Sequence, residues 1–559
     1  MLKRKWLKSR LSILRHSGLL LGLCFSTPLL ALDTTQPQPP VQEQQNDTQR
    51  FDITHFNVEG NTLLNINIIN ELLDEFSGAQ RSYNDIQLAI NALTGGYRKA
   101  GYYLVWVTAP EQSLDQGSVT LHVTEGHIGN ITLTGNQHFS DANIRASLPL
   151  LQTDSAPRAV KISANAQLAN ENPAKQVDII LRATKQIGIV DAEIHVIDVN
   201  PLKAFLTFDN TGTPKTGNYR IGAGAQHANI FDLDHVATFN YSTSPEQQNH
   251  VSLYSGSYRI PLYSRDGSID FIYAFSDVNA GTTQTIAGPL SFSGRGVVYG
   301  MRYNQLLARH GEYSQRLVFG WDYRAYQNNC SLGDFGAAGC GPAARDITVN
   351  PMSVSYSGNW EQPGRATDFF IALSSNIPGA KNGQEIDFNL VRPSPNNGAD
   401  ASSHYSILRF GGSSLNAYTN NWQSRAAFTA QYTRDALISS EQFSIAGATA
   451  VRGFLEREVS LDTGYLTNLE LYTPNLIGDS YARYGSLRSL IFYDFGAARK
   501  NTLQGEPAQT ENIASLGAGL RWKIQRDFNL RFDWALVMRA GGNTEAGDYH
   551  GHLSVYYEF

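Results

Sequence analysis

The chain has 559 residues, with 44 Lys and Arg against 50 Asp and Glu, and it is rich in Gly (49), Tyr (27) and Phe (26) but poor in Cys (3) and Met (4). That size allows more than one domain, and the composition suits extended strands and turns better than a helical bundle. The acidic balance excludes nucleic acid as a principal partner, and no cluster of His and Cys offers the four ligands of a metal site.

Residues 1–31 read as a signal peptide. Lys3, Arg4, Lys5, Lys8, Arg10 and Arg15 form a basic n-region, Leu19 to Phe25 a short apolar h-region, and Ala31 a cleavage residue. The apolar run is too short to span a bilayer, and Leu23 before Cys24 is not the small residue a lipoprotein site wants. Cleavage removes six basic residues and leaves 38 Lys and Arg against 50 Asp and Glu, a formal charge of −12. Cys330 and Cys340 then remain, and in an oxidising compartment they are expected to form a disulfide. Residues 32–50 are rich in Pro and Gln and read as a flexible linker.

Residues 51–200 hold a weak internal repeat. FNVEGNTLL opens the first unit (51–126) and ITLTGNQHF the second (127–200), which sets Gly60-Asn61 and Gly135-Asn136 75 positions apart. Each opening strand is followed by two helical patterns and two strands. In the first unit Ile66, Ile69, Leu72, Leu73 and Phe76 are expected to share a helix face, and a second helix is expected from Asp85 to Ala100. In the second unit the corresponding helix runs over about Arg158–Asn170. Strands are expected at Leu104–Thr108 and Val119–Thr124, then at Val177–Ala183 and Ile189–Val196.

From residue 201 to 559 the period becomes two. In FNLRFDWAL, Phe528, Leu530, Phe532, Trp534 and Leu536 face one way and Asn529, Arg531 and Asp533 the other. Sixteen such segments begin near residues 201, 218, 235, 249, 268, 296, 315, 348, 365, 403, 421, 464, 487, 513, 528 and 550. One set of connections is short (FDLDH, EQPG, QRD); the other includes long loops at 278–295, 328–347, 377–402 and 433–463. An even strand count with short turns on one rim and long loops on the other is the pattern of an outer-membrane barrel. Only closure satisfies every strand N–H and C=O in hydrocarbon, whereas a soluble sandwich would need a second layer over its apolar faces.

The loop at 433–463 carries Val451-Arg452-Gly453-Phe454, a combination with no use at an exposed tip. Strand thirteen carries Phe492, Asp494 and Gly496 on one face. An Asp on a barrel strand should face the lumen, since lipid-facing charge is costly, so Asp494 awaits a cation and Arg452 is the candidate. With these paired motifs the chain resembles the two-partner secretion transporters of the haemolysin-activator and filamentous-haemagglutinin-exporter type. GYYLVWVTAPEQ, GSVTLHVTEG, NENPAKQVDI and FDNTG add to the likeness, which covers essentially the whole mature chain.

The resemblance implies an all-β membrane barrel of sixteen antiparallel strands (201–559) behind two α+β POTRA domains. It implies that loop 433–463 folds into the barrel, with Arg452 paired to Asp494, Gly453 allowing close approach and Phe454 packing beside it. It implies one large secreted partner protein, bound by the POTRA domains in the periplasm and exported without nucleotide hydrolysis, and no cofactor. The outer-membrane lipid is the other partner, and the barrel-assembly machinery would read the terminal Phe559. Some relatives plug the pore with an N-terminal helix; the roughly twenty residues after Ala31 hold Pro37, Pro39 and Pro40 and hardly fit one, so closure falls to the loops.

The alternatives are an outer-membrane assembly factor of the same superfamily, which two POTRA units argue against, and a passive porin, which the N-terminal domains argue against. An enzyme is not expected. His227, His235, His250, His310 and His404 are scattered, with neither H-E-x-x-H nor G-x-S-x-G. A haemolysin, an adhesin, a contact-dependent inhibition toxin and a haem-acquisition protein are all compatible as cargo.

Overall fold

The computed structural model describes residues 50–559 apart from 115, 215, 249–250, 286–287, 328–344, 394–400, 504–506 and 526. The expected signal peptide and nearly all of the linker lie outside the described residues, as do Cys330, Cys340 and their expected disulfide.

The first N-terminal unit runs β1 (Phe51–Ile53), β2 (His55–Glu59), α1 (Ile66–Leu73), β3 (Gly78–Arg81), α2 (Tyr83–Lys99), β4 (Val105–Thr108) and β5 (Ser118–Glu125). The second runs β6 (His127–Thr134), α3 (Asp141–Ser147), α4 (Ala159–Ala169), β7 (Lys175–Ala183) and β8 (Ile189–Asp198). Each builds a three-stranded sheet with the closing strand in the middle, ordered β2-β5-β4 and β6-β8-β7. Ile69, Leu93, Leu121 and Val123 lie in one core, and Ile128, Ile144, Ile162 and Ile194 in the other.

The repeat has a physical cause. Gly60 (φ +81) and Gly135 (φ +95) end the opening strands, and a Cβ on either would sit 2.2 Å from the carbonyl oxygen of Val123 or Val196, so only glycine fits. Asn61 and Asn136 then each donate from Nδ2, at 2.9 Å, to the carbonyl three residues on, of Leu64 and Phe139. A carboxylate from the closing strand caps each turn. Glu125 accepts the amides of Thr62 (2.9 Å) and Leu63 (3.0 Å), and Asp198 those of Gln137 (2.9 Å), His138 (2.8 Å) and Phe139 (3.1 Å).

Two expectations change here. Ile66 is exposed, because the eight-residue α1 turns its buried stripe onto Ile69 and Leu73, and Phe76 falls in a following 3-10 turn. β1 pairs with β3 in an extra two-stranded sheet, which GAQR, lacking any alternation, did not announce.

The rest of the chain closes into a barrel of sixteen antiparallel strands. They are, in order, Leu202–Asp209, Arg220–Ile230, His235–Thr243, Leu253–Leu262, Gly267–Thr285, Gly288–Leu306, Tyr313–Gln327, Ile347–Val349 with Pro351–Gln362, Arg365–Asn376, Ser406–Ala417, Gln423–Tyr432, Thr463–Tyr472, Ser486–Arg499, Thr510–Ile524, Phe528–Arg539 and Tyr549–Glu558. The eighth is broken at Asn350, both parts pairing with the seventh. The last strand meets the first between Ser554↔Asp209 and Glu558↔Phe205.

Alternation places large apolar side chains such as Phe271, Tyr299, Trp321, Ile491 and Trp534 outside. Asp270, Asp322, Asp494 and Asp533 are buried within. Arginines reach two of these carboxylates: Arg259–Asp270 and Arg302–Asp322 each close at 2.7 Å.

The segment 278–295, expected as a loop, mostly continues strands five and six, which pair as far as Thr285↔Gly288. Its Asn, Thr, Gln, Ser and Gly residues show no apolar alternation, yet backbone pairing needs none. Loop 377–402 contains a short helix, α5 (Glu385–Val391), which buries Phe388 against Tyr405.

The second N-terminal unit is seated on the short-turn rim. Lys175, wholly buried, reaches Asp234 in the turn after strand two at 2.5 Å, and Tyr263 donates to the same carboxylate at 2.5 Å. Asn172 donates to the Ala228 carbonyl (2.7 Å) and Asn165 to that of Tyr263 (2.8 Å). Lys161 meets Asp266 at 2.6 Å. Glu171 pairs with Arg259 at 3.2 Å and also with Arg316. Between α4, β7 and the barrel lies a cavity of about 1130 Å³.

Candidate functional site: the loop inside the barrel

Loop 433–463 enters the lumen as a narrow hairpin, with Phe443–Ser444 paired to Ser460–Leu461. Its tip lies on the inner wall formed by strands twelve to sixteen. Arg452 donates from Nε to Asp494 Oδ2 (2.7 Å) and from Nη2 to Asp494 Oδ1 (2.8 Å), while its backbone N–H reaches Oδ2 at 3.1 Å. Nη1 faces Glu470 at 2.9 Å and Asp533 at 3.4 Å. The guanidinium carbon stands 3.5 Å from the centroid of the Phe492 ring.

Burial makes this geometry consequential. The side chains of Arg452, Asp494, Glu470 and Asp533 are all at most 5% exposed. A bidentate guanidinium–carboxylate pair is both directional and charge-assisted. Out of water, removing one partner leaves an uncompensated charge and costs about 3–5 kcal/mol. The face of Phe492 adds a cation–π contact of about 1–2 kcal/mol. Neighbouring arginines keep the wall balanced: Arg425 meets Glu470 at 3.2 Å and Arg521 meets Asp533 at 2.9 Å.

The other motif residues have steric reasons. Gly453 has φ +101, and a Cβ there would stand 3.2 Å from Val537 Cγ2 and 3.3 Å from Ala535 Cβ. Gly496 leaves room for the tip, since a Cβ on it would lie 3.0 Å from both Ile445 and Val451. Val451 and Phe454 are fully buried with Ile445, Val459, Ile513 and Val537. This small apolar core lies inside the barrel and seats the tip by burial, at about 25 cal/mol per Å² of apolar surface.

Several participants were not singled out from the sequence. Glu470 and Asp533 complete the carboxylate cage. Asn468 donates to Asp494 Oδ1 (2.8 Å) and to the Ala450 carbonyl (2.8 Å). His552 accepts the Gly453 N–H through Nε2 at 2.9 Å. All four occupy lumen-facing positions of alternating strands, so a search for polar residues of that parity would have found them. The loop root has its own clamps. Glu441 meets Arg324 (3.2 Å), and Asp462 meets Arg392 just beyond α5 (3.0 Å).

Phe559 lies at the other end of the seam. Its N–H donates to the Ala204 carbonyl (2.9 Å) and its own carbonyl accepts from Ala204 N (3.0 Å), leaving the side chain exposed. The FDNTG stretch closes the opposite end. Asn210 donates from Nδ2 to the Gly551 carbonyl (2.6 Å) and accepts the Leu553 N–H (2.7 Å).

Comparison with known proteins gives a consistent picture. The family model of the haemolysin secretion/activation protein ShlB/FhaC/HecB matches residues 190–522. That of the ShlB-type POTRA domain matches residues 51–126. The heme/hemopexin transporter protein HuxB of Haemophilus influenzae strain 86-028NP is 22% identical over 462 residues, covering 80% of this chain and 76% of that one. Two solved structures share the fold. CdiB from Escherichia coli has a TM-score of 0.74, with 17% identity over 93% of both chains. CdiB from Acinetobacter baumannii has a TM-score of 0.69, with 15% identity over 94% of both.

Proposed function

The chain belongs to the haemolysin secretion/activation protein family ShlB/FhaC/HecB, outer-membrane transporters of two-partner secretion, and on that premise we propose how this barrel exports its partner. The two N-terminal units stand in the periplasm and capture one large, β-rich secreted protein in an unfolded state. An extended segment adds to an exposed strand edge, main-chain bonds supplying affinity and side-chain pockets selectivity. β7 is an outer strand of its sheet and lines the cavity that opens beside the barrel wall, which supports it as the receiving edge.

The cargo then threads the lumen and folds outside. Folding at the surface removes the unfolded chain from the equilibrium, so direction needs no nucleotide. Loop 433–463 fills part of the lumen as described, and passage requires its tip to leave the wall. The buried Arg452–Asp494 contact is the observation that carries this reading: it holds the loop where the cargo must go. We place the barrel wall in the outer-membrane lipid and assign Phe559 to recognition by the barrel-assembly machinery. The name of the relative HuxB, a heme/hemopexin transporter protein, favours a haem-acquisition protein among the classes of cargo.

The test is secretion of the protein encoded beside this one, in a strain lacking the chromosomal transporter. The wild type should release that protein to the medium or cell surface. Arg452→Ala should reach the membrane in normal amount and release much less. Normal release by this variant would remove the loop tip from the mechanism. A general loss of outer-membrane barrels on deletion, with secretion intact, would favour an assembly factor.

A further inference from the structure

Three arginines face one another on the inner wall. Arg488 of strand thirteen is directly opposite Arg521 of strand fourteen, and Arg521 is directly opposite Arg531 of strand fifteen. Lys523 follows on the same face, opposite Ser486 and Asn529. All four share the parity of the buried, lumen-side Leu490, Phe492, Gly519 and Asp533, whereas the alternate positions Ile491, Tyr493, Leu520 and Trp534 are exposed on the outer face. Like charges directly opposed across strands disfavour the sheet, so the row calls for a compensating anion.

The wall supplies only part of it. Asp533 binds Arg521 at 3.0 Å but is shared with Arg452, and Glu470 is divided between Arg425 and Arg452. Arg488 donates to the carbonyls of Asn421 (2.9 Å) and Thr473 (2.8 Å), which carry no charge. Arg531 and Lys523 make no hydrogen bond or ion pair with any described residue. Both are exposed to the lumen. The row lies near the ends of strands thirteen to fifteen that meet the rim on which the second N-terminal unit sits.

We propose that Arg488, Arg521, Arg531 and Lys523 form a cationic track at the entry side of the lumen that binds acidic side chains of the polypeptide in transit. Neighbouring strands are about 4.8 Å apart, so a chain lying across the row meets a cation at each strand it crosses. Each contact is wet and weak, which suits passage better than capture. The inference rests on the barrel being a polypeptide conduit and specifies what that conduit recognises.

Full-length protein in detergent micelles, titrated against dye-labelled decaglutamate at low salt and followed by anisotropy, tests it. The wild type should bind, and Arg531→Glu should weaken binding by about fivefold or more, with salt abolishing the difference. Lys185→Glu, which reverses an exposed charge on the second N-terminal unit, should leave affinity unchanged. Labelled decalysine should bind no better to the wild type than to Arg531→Glu. Equal affinity of Arg531→Glu and wild type, or an equal loss in Lys185→Glu, overturns the track. Displacement by free glutamate at the same carboxylate concentration reduces it to a small-anion site and overturns the polypeptide reading. Secretion by the wild type is scored separately, so a failed track and a failed transport assignment give different results.

Discussion

Removing the guanidinium of Arg452 leaves the buried Asp494 without its arginine and leaves Glu470 with Arg425 and Asp533 with Arg521 as their remaining cations. The cost should be about 3–5 kcal/mol of loop seating, and Arg452→Lys should recover little of it. An ammonium cannot make the bidentate fork and the third contact to Glu470 together. A double-mutant cycle of Arg452→Ala and Asp494→Ala, read by protease cleavage within 433–463, should show strongly non-additive opening; additive effects would mean that the two side chains act separately. His552→Ala should loosen the tip less, since it removes one neutral acceptor from the Gly453 amide, worth about 1 kcal/mol.

At the scale of elements, the two N-terminal units share one turn, built from a left-handed glycine, an asparagine and a carboxylate from the closing strand. Gly60→Ala or Gly135→Ala should each cost more than about 1 kcal/mol, because the backbone conformation disfavours any Cβ and a carbonyl already occupies its place. Burial pushes the carboxyls of Glu125 and Asp198 upward, but the hydrogen bonds they accept outweigh it and hold both below the usual carboxylate range. A carboxylate depressed on folding stabilises above its unfolded value, near 4, and loses that contribution as pH falls through the folded value. Hydrogen-exchange protection at Thr62, Leu63, His138 and Phe139 in the full-length protein should therefore drop below about pH 4. Glu125→Gln should resemble acidified wild type at the first turn only. Protection that does not change between pH 6 and pH 3 would contradict the carboxylate caps.

At the scale of the whole molecule, Lys175 and Asp234 tie the second N-terminal unit to the barrel. Burial lowers the affinity of Lys175 for its proton, and Asp234 opposes that. Lys175→Ala leaves Asp234 buried with only Tyr263 as donor, and should cost about 3–5 kcal/mol at the junction. Faster exchange at residues 228–236 and 263–266, with the barrel itself unaltered, is the expected result. Closure of the barrel has its own signature. Purified protein should need detergent and should migrate differently on gels before and after boiling, because a sheet without edges resists unfolding. The proposed cargo capture and loop release both depend on this frame, since it holds the second N-terminal unit on one rim and the loop tip on the inner wall.

Much of this architecture was legible in the chain because it repeats on short periods. Alternation every second residue marks a strand with unlike faces, and sixteen such segments with unequal connections imply closure before any contact is known. Arg452 was legible only as a candidate partner for Asp494, since a charge on a lumen-facing position needs an opposite charge; the pairing itself was what the family resemblance implied. What alternation cannot express remained for the tertiary structure. Strands five and six extend beyond their apolar stretch because main-chain bonds do not depend on side-chain polarity. Glu470, Asp533, Asn468 and His552 gather around one loop tip although up to 100 positions separate them from Arg452, because closure brings strands twelve to sixteen side by side. The seating of the second N-terminal unit was decided in the same way, by a turn whose buried aspartate meets a lysine from another domain, a contact that no local period of the sequence encodes.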